Sequence, residues 1–497
     1  MTDMPTQKPQ GASELLPKLR KIQEELGKVP GGAIAGLARE LKLDEEQVYA
    51  VASYYPVFSP GQAASGRVPR ALALSLAQSA GEIAILPAKG RILERCGRKL
   101  KDYEGYKKAL SITPEEIIDL VKRSGLRGRG GAGFPAAVKW ETARNALADQ
   151  RYVVCNAAEG DIGAFMDRAL LEGDVHSVIE GMAILARAIG ASRGYIYLRA
   201  EYGGLIPAVE AALGEARALG VLTPEFDVEV FFAAGMYVCG EETALINSME
   251  GRTGRPRNKP PFPAESGLWG KPTVVSNVKT LAQVALILRE GVEPFLATGT
   301  GRSRGSAILS LTGHAANVGV AEVPMGTSLA DVVLKIGGGV AGGKKLKAVQ
   351  TGGPLGGFIP AKDLGIPVTF EDFAAAGSPL GSGGLIVMDE TTCMVAATRS
   401  FMDFNREESC GWCAPCRLGT EEIQAILRDI CEGRGRAAHL GRLRALAEAM
   451  AAASFCAFGQ AAPNILLSAL RHYPGEFEEH VLAKKCSCGF CRLGGGK

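Results

Sequence analysis

The stretch Glu408 to Thr420, "ESCGWCAPCRLGT", places Cys410, Cys413 and Cys416 at C-x2-C-x2-C spacing inside text that otherwise forms helix. Each two-residue spacer turns the chain enough to aim successive sulfurs at one centre, and that centre still needs a ligand from elsewhere. Cys456, in "SFCAFGQAAPNIL", is the candidate. The helical text between, "EEIQAILRDICEGRGRAAHLGRLRALAEAMAAA", can fold back as a hairpin and deliver it. This demand alone calls for a helical unit near the C-terminus built around a metal centre. Four thiolates suit a [4Fe–4S] cluster or a structural zinc. Three-plus-one is the iron–sulfur habit, whereas zinc more often takes two C-x2-C pairs.

Three more of the twelve cysteines, Cys486, Cys488 and Cys491 in "KCSCGFCRLGGGK", have no evident fourth thiol. A frayed tail is the preferred reading, and a zinc site shared with a partner the alternative. The isolated Cys96, Cys155, Cys239, Cys393 and Cys431 read as small buried residues without a redox role. Tight cysteine groups of this kind indicate metal or redox chemistry in a reducing compartment rather than disulfides.

A chain of 497 residues exceeds one hydrophobic core and implies two to four domains. With 56 basic against 53 acidic residues, it carries too little net charge to make nucleic acid or an anionic membrane its principal partner. Apolar runs stop short of the roughly 18–20 residues of a membrane span, and "MTDMPTQKPQGASE" lacks a secretory hydrophobic stretch, so the expected location is cytoplasmic.

Helical spacing from Leu15 to about Ala52, broken at Lys28 to Gly32 and near Leu43, predicts three short helices. A Gly/Pro/Ser-rich linker follows near residues 57 to 70. Between Ile112 and about Glu290, β-type runs ("YVVCNAAEG", "GYIYLRAEY", "FDVEVFFAAGMYVCG") alternate with helical stretches, which argues for an α/β domain with a largely parallel sheet. From Ser306 to about Pro379, short β runs predict a small β-rich module carrying one helix. Thr391 to about Glu479 reads as helical.

"GLRGRGGAGFPAAVKW", Gly125 to Trp140, sets glycines and two arginines just before a helix. There, backbone N–H groups, a helix N-terminus and Arg127 or Arg129 can converge on a phosphate. It is neither a Walker loop nor a clean dinucleotide fingerprint. "CNAAEGDIGAFMDR" follows a predicted strand and brings Asn156, Glu159 and Asp161 to a strand's C-terminal end, where ligands of open α/β sheets lie. "YVCGEETALINSMEG" repeats that logic as strand, tight Gly240, then Glu241 and Glu242 opening a helix; either carboxylate alone can be a mere dipole partner.

"GLRGRGGAGFP", "GAFMDR", "CGEETALINSMEGR", "KPPFP", "GLWGKPT" and "ESCGWCAPCRLGT", in this order, resemble the NADH-oxidising flavoprotein subunit of respiratory complex I. They also resemble its relatives, the diaphorase subunits of NAD-linked formate dehydrogenases and NAD-reducing or bifurcating hydrogenases. The resemblance covers about residues 90 to 480. It implies an α/β Rossmann-like flavin domain (67–302), a ubiquitin-like β-grasp (SLBB) domain (303–390) and a C-terminal helical bundle holding a [4Fe–4S] cluster (391–480), before a Cys-containing tail (481–497). Residues 1–66 resemble instead the helical start of the companion thioredoxin-like [2Fe–2S] subunit, through "KLDEEQVYAVASYYPVFS", without that subunit's cysteines; this implies a docking element.

Carried over residue by residue, the resemblance implies FMN contacts from Gly128, Arg129, Gly130, Lys139, Asn156, Gly240, Glu241, Ser276, Asn277 and Thr280. It implies NAD(H) contacts from Phe134, Glu159, Asp161, Glu242 and Phe262, and cluster ligation by Cys410, Cys413, Cys416 and Cys456. The implied chemistry is hydride transfer to flavin without a side-chain catalyst, then electron transfer through the cluster. The implied partners are a thioredoxin-like [2Fe–2S] subunit and an iron–sulfur or metal-containing catalytic subunit. The chain departs from the family pattern at Ala158 (usually Asp), Ile162 (usually Pro), Thr142 (an aromatic in complex I forms) and Ser276-Asn277-Val278-Lys279-Thr280 (usually two Asn, then Val-Glu-Thr). Lys279 is thereby expected to add positive charge near a phosphate. The alternative reading is a subunit that keeps fold and cluster but uses no NAD(H), or takes electrons from another donor.

Overall fold

The computed structural model describes residues 14–493, apart from 27–28, 56–69, 73–74, 76–77, 79–80, 88–89, 99 and 234. The expected linker near 57–70 therefore lies outside the described residues except for Arg70.

Three helices lead: α1 (Leu15–Leu26), α2 (Gly31–Leu41) and α3 (Glu45–Tyr54). Leu15, Leu16 and Leu19 of α1 and Ile34, Leu37, Ala38 and Leu41 of α2 recur at three- and four-residue intervals, so each helix buries one stripe. α2 stops where Lys42 turns left-handed (φ 55°) and returns its N–H to Ala38 and Arg39 carbonyls.

In the α/β domain, α4 (Pro114–Ser124) opens on a capping box. Thr113 accepts from the Glu116 N–H and Glu116 accepts from the Thr113 N–H, and the helix closes on Gly125 at φ 65°. This stop delivers the glycine-rich loop, after which α5 (Ala136–Asn145) begins. Four strands follow: β1 (Tyr152–Ala157), β2 (Arg193–Leu198), β3 (Asp227–Phe232) and β4 (Thr273–Asn277). Between them run α6 (Met166–Gly173), α7 (Val175–Ile189), α8 (Ile206–Ala218) and α9 (Glu242–Met249); α10 (Val278–Glu290) follows β4. The sheet is parallel throughout, in order β3-β2-β1-β4. The chain winds outward from β1 through β3 and returns to the other side of β1 for β4, which makes the β1/β4 seam the switch point where α/β sheets bind ligands.

Alternation along the strands sorts the two faces. Val153, Cys155 and Ala157 pack with α7 and α10, while Val154, Tyr195 and Tyr197 pack with Leu16, Leu37, Val51 and Tyr55 of the N-terminal helices. Tyr54 and Tyr55 donate to the Gly254 and Arg252 carbonyls. The N-terminal unit thus covers one face of its own chain's sheet. One expected strand is absent: β3 ends at Phe232, and Tyr237–Gly240 is a single 3-10 turn, although its apolar text reads as β.

The β-grasp module contains β5 (Ser306–Gly313), β6 (Gly319–Pro324), β7 (Leu346–Thr351), β8 (Gly357–Pro360) and β9 (Gly384–Asp389), in order β8-β7-β9-β5-β6 with β5 and β9 parallel. It carries two short helices, Asp331–Ile336 and Phe370–Ala375, where one was expected. The helical end comprises α11 (Met394–Glu407), α12 (Ala414–Cys431), α13 (Ala437–Ala453) and α14 (Asn464–His472) around Phe401, Ile423, Leu427, Leu443, Ile465 and Leu466. None of the described helices is long and apolar enough to cross a membrane.

Candidate functional site

The parallel register sets Asn156 beside Asn277 at the C-terminal ends of β1 and β4. Asn156 Nδ2 donates to the Gly240 carbonyl at 2.9 Å and its Oδ1 accepts from the Ala158 N–H, so one side chain ties the β1 end to the turn before α9. Asn277 caps α10 by accepting from the Lys279 N–H and donates to Asp167 at 2.6 Å. The glycine-rich loop closes over this seam. The Gly128 N–H donates to Phe134 O, the Arg129 N–H to Thr280 Oγ1 at 2.8 Å, and a Cβ at Gly130 would stand 3.0 Å from Asn277 Cβ. A side chain at this position would crowd Asn277, so glycine suits the close approach of the loop backbone to the strand ends.

Arg129 is buried. Its Nε donates to Gln283 and its Nη2 to the Arg304 carbonyl, but among the described residues Nη1 has no hydrogen-bond partner. Burial and neighbouring Arg127 lower its pKa to about 9, as expected of a cation short of counter-charge. A buried unpaired guanidinium N–H at a glycine cradle fits an anionic group such as the phosphate of FMN.

The other charged groups have found partners within the chain. Lys139 Nζ donates to Glu242 at 2.5 Å, and Lys259 bridges Glu241 at 2.8 Å and Glu242 at 3.2 Å. Burial works to raise the Glu242 pKa, but Lys139 and Lys259 outweigh it and hold it below the ordinary value. Glu241 caps α9 by accepting from the Thr243 and Ala244 N–H groups. Glu159 faces inward, accepting from the Met166, Asp167 and Arg168 N–H groups at the start of α6 and from the Tyr202 hydroxyl. Burial and Asp167 raise its pKa. Lys279 corrects an expectation: it is buried, and its ammonium is spent on Asp167 at 2.7 Å. Ser276 pairs with Cys155 across the seam, and Ala158 follows β1 directly. Ile162 fills the core beside Ile386 and Phe401, and the Thr142 hydroxyl turns back to the Val138 carbonyl. Phe134 and Phe262 are about half exposed, so neither is the core residue that an isolated phenylalanine usually is.

Asp161 reaches across domains, accepting from Tyr237 Oη at 2.6 Å and from the Ser382 hydroxyl. Tyr237 in turn gives its N–H to Glu408 at 2.8 Å and packs its ring edge-on to Phe404 at 5.4 Å and tilted against Phe458 at 5.8 Å. Sequence reasoning assigned Tyr237 no role; its bridging position depends on three domains meeting.

Beyond it lies the thiol centre. Cys413 stands at the N-cap of α12, with Cys416 in its first turn and Cys456 at the N-cap of the Ala457–Ala461 helix, which the α12–α13 hairpin returns to the same place. A Cβ at Gly459 would lie 2.9 Å from Cys416 Cβ, which shows how closely the two segments meet. The Trp412 N–H points at the Cys410 sulfur, and the Phe458 and Gly459 N–H groups at Cys456. Among the described residues, no three of these sulfurs lie within 4.8 Å of one another. That arrangement is too open for four ligands on one zinc ion, whereas a [4Fe–4S] cubane holds its thiolates apart at separate corners.

Three family models match the chain: the Nuo51 FMN-binding domain over residues 121–286, the NADH-ubiquinone oxidoreductase-F iron-sulfur binding region over 396–480, and the thioredoxin-like [2Fe-2S] ferredoxin over 1–77. The first cysteine is Cys96, so the last match brings no cluster ligands. The NADP-reducing hydrogenase subunit HndC of Solidesulfovibrio fructosivorans is 50% identical over 399 residues, covering 79% of this chain and 81% of that one. An F-type subunit of the NADH-quinone oxidoreductase of Rhizobium meliloti is 43% identical over 392 residues, covering 77% and 93%. The crystal structure of an NAD+-reducing [NiFe]-hydrogenase in the H2-reduced state superimposes with a TM-score of 0.84 at 30% identity, covering 95% of this chain and 94% of that one. With the β1/β4 seam and the thiol centre joined through Tyr237, these matches place the chain in the family of F-type NADH-quinone oxidoreductase subunits, the electron-transfer flavoproteins with FMN- and [4Fe–4S]-binding domains.

Proposed function

We propose that this chain is the nicotinamide-linked subunit of a cytoplasmic multisubunit oxidoreductase, moving electrons between NAD(H) and partner subunits. When bound, FMN supplies exchange between hydride and single electrons, and the [4Fe–4S] cluster relays those electrons. The observation that carries the reading is Tyr237, which touches the seam through Asp161 and the thiol centre through Phe404 and Phe458.

On this reading the Arg129 Nη1 and the Gly128–Gly130 backbone hold the FMN phosphate, with Ser276, Asn277 and Thr280 on the same side. Asn156, Gly240 and Glu241 shape the flavin wall by fixing the turn before α9, and Lys139 is positioned by Glu242. Phe134 and Phe262 offer exposed ring faces for the adenine of the dinucleotide. Glu159 acts by holding the loop that carries Asp161 rather than by touching the nucleotide. Cys410, Cys413, Cys416 and Cys456 hold the cluster. Exposed Trp412 and Phe455, each beside a ligand, mark the face for the electron-accepting partner. The implied partners are a thioredoxin-like [2Fe–2S] subunit and a metal-containing catalytic subunit.

The test is an anaerobic titration of the cluster-reconstituted holoprotein with NADH and, in parallel, NADPH, following the flavin absorbance band. Bleaching near one equivalent of either nucleotide supports the reading and identifies the nucleotide. A flavin that stays oxidised under both yet is reduced by dithionite overturns it.

A further inference from the structure

Two observations about the C-terminal tail depart from expectation. Residues 484–493 are packed rather than frayed: Leu493 is buried, and its carbonyl lies against Gly433 at the end of α12. Cys393, which in sequence reads as a small buried residue, faces that tail. Its Sγ lies 3.3 Å from His480 Nε2 and 3.8 Å from Cys491 Sγ, and one ligand atom from each of Cys393, His480, Cys486 and Cys491 lies within 4.8 Å of all the others.

The surroundings are those of a prepared ligand set. His480 Nδ1 bonds the Glu476 carbonyl at 2.7 Å, which selects the tautomer with its proton on Nδ1 and leaves the Nε2 lone pair aimed at the thiols. Glu476 is itself anchored, accepting from the Met394 N–H at 2.9 Å and pairing with Lys347 at 2.6 Å. The Cys491 N–H points at Cys486 Sγ at 3.5 Å, and the Gly489 N–H closes the Cys486 turn at 2.8 Å. Cys488 looks the other way, 3.5 Å from Lys347 Nζ and 3.4 Å from the Thr392 carbonyl, which excludes it as a ligand.

Distances select the kind of metal. Zn–S bonds of about 2.3 Å in a tetrahedron put thiolates about 3.8 Å apart, and a Zn–N bond of about 2.0 Å puts the nitrogen about 3.6 Å from each sulfur. The Cys393 contacts, 3.8 Å to sulfur and 3.3 Å to nitrogen, match those edges. A cubane needs its thiolates much farther apart, and a disulfide would bring two sulfurs to about 2.05 Å.

We propose that Cys393, His480, Cys486 and Cys491 bind one zinc ion, tetrahedrally and as a closed structural site. Cys393 is the N-cap of α11, immediately after the β-grasp strand β9. The ion therefore pins the tail to the joint between the β-grasp module and the cluster-bearing bundle. Binding displaces the thiol protons to solvent and involves no electron transfer. The site stands whether or not the chain uses NAD(H).

The experiment is elemental analysis of the full-length protein purified without chelators, combined with zinc-edge X-ray absorption. About one zinc per chain is expected beside the cluster iron, with a shell of three sulfurs and one nitrogen. Cys486→Ser with Cys491→Ser should lose the zinc and keep the iron, whereas Cys413→Ser should lose iron and keep zinc. Trypsin should cut at Lys484, Lys485 and Arg492 at least severalfold faster once a strong chelator has removed the ion. Zinc absent from the wild-type protein, zinc that leaves with Cys413→Ser, or a Cys393–Cys491 disulfide found by mass spectrometry would each overturn the proposal. The wild-type measurements decide even if the double variant fails to fold.

Discussion

The two sulfur sites of this protein lie in one helical domain and are built to opposite specifications. Cys413, Cys416 and Cys456 come from helix starts at the ends of a hairpin, with Cys410 in the loop before α12; the four are spaced beyond single-ion ligation and sit beside exposed Trp412 and Phe455. Cys393, His480, Cys486 and Cys491 come from the two ends of the domain, converge tightly, and have their histidine oriented by a backbone carbonyl. An electron relay needs a cofactor close to both donor and acceptor, and hence near the surface and near Tyr237. A staple needs only to join chain segments far apart in sequence, where closing a long loop stabilises most. Ligand spacing and placement thus separate two chemistries that cysteine content alone would merge.

The sharpest way to break the contrast is Cys413→Ser. Transfer of electrons from reduced flavin to an artificial one-electron acceptor should fall to background, while nucleotide bleaching of the flavin persists; stopped-flow absorbance separates the two steps. If both steps survived, the first site would not be the relay.

Lys279→Met asks whether charge at the flavin seam is structural, as its burial against Asp167 indicates. Removing one member of a buried pair should cost about 3–5 kcal/mol, read as a lowered melting temperature. Lys279→Met with Asp167→Asn should recover most of it. If Lys279 instead served the phosphate, FMN affinity would fall in both variants alike.

At the staple, Cys491→Ser should lower the melting temperature of the helical end by about 5 °C or more, through loss of metal-coupled stability. Differential scanning calorimetry in the presence and absence of chelator checks this: the variant should no longer respond to chelation.

Glu180 sets the pH background against which either site is measured. It accepts the Tyr106 N–H at 3.0 Å and lies 3.8 Å from Arg289, yet burial pushes its pKa up from 4.5 to about 7. Between those values the folded protein holds a proton that the unfolded chain has released. Stability from this group is therefore full below pH 4.5 and is lost as pH rises through about 7. Glu180→Gln should flatten that decline between pH 4.5 and about 7, a difference on the order of 1–3 kcal/mol, measured as melting temperature against pH.

Much of the molecule could be read from local pattern. Six-residue alternating and apolar runs announced β1, β2 and β3, helical spacing announced α1 to α3, and the two-residue spacers of Cys410, Cys413 and Cys416 announced a cluster with a returning hairpin. These signals survive in one dimension because backbone periodicity places side chains a few residues apart on one face or around one turn. The apolar text of Tyr237–Gly240 misled because burial in a turn at a domain junction looks, in sequence, like burial in a strand. What no local pattern encodes is a contact between elements that only packing brings together. Lys279 and Asp167 are 112 residues apart, Tyr237 and Glu408 are 171 apart, and Cys393 and Cys491 are 98 apart. Sequence by itself determined the fold class, the glycine cradle and the presence of an iron–sulfur region near the C-terminus. Tertiary structure alone decided that Lys279 is spent inside the protein, that Tyr237 joins seam to thiol centre, and that Cys393, in sequence a small buried residue, converges with His480, Cys486 and Cys491, because side-chain partnership across a core is set by how whole elements pack and not by spacing along the chain.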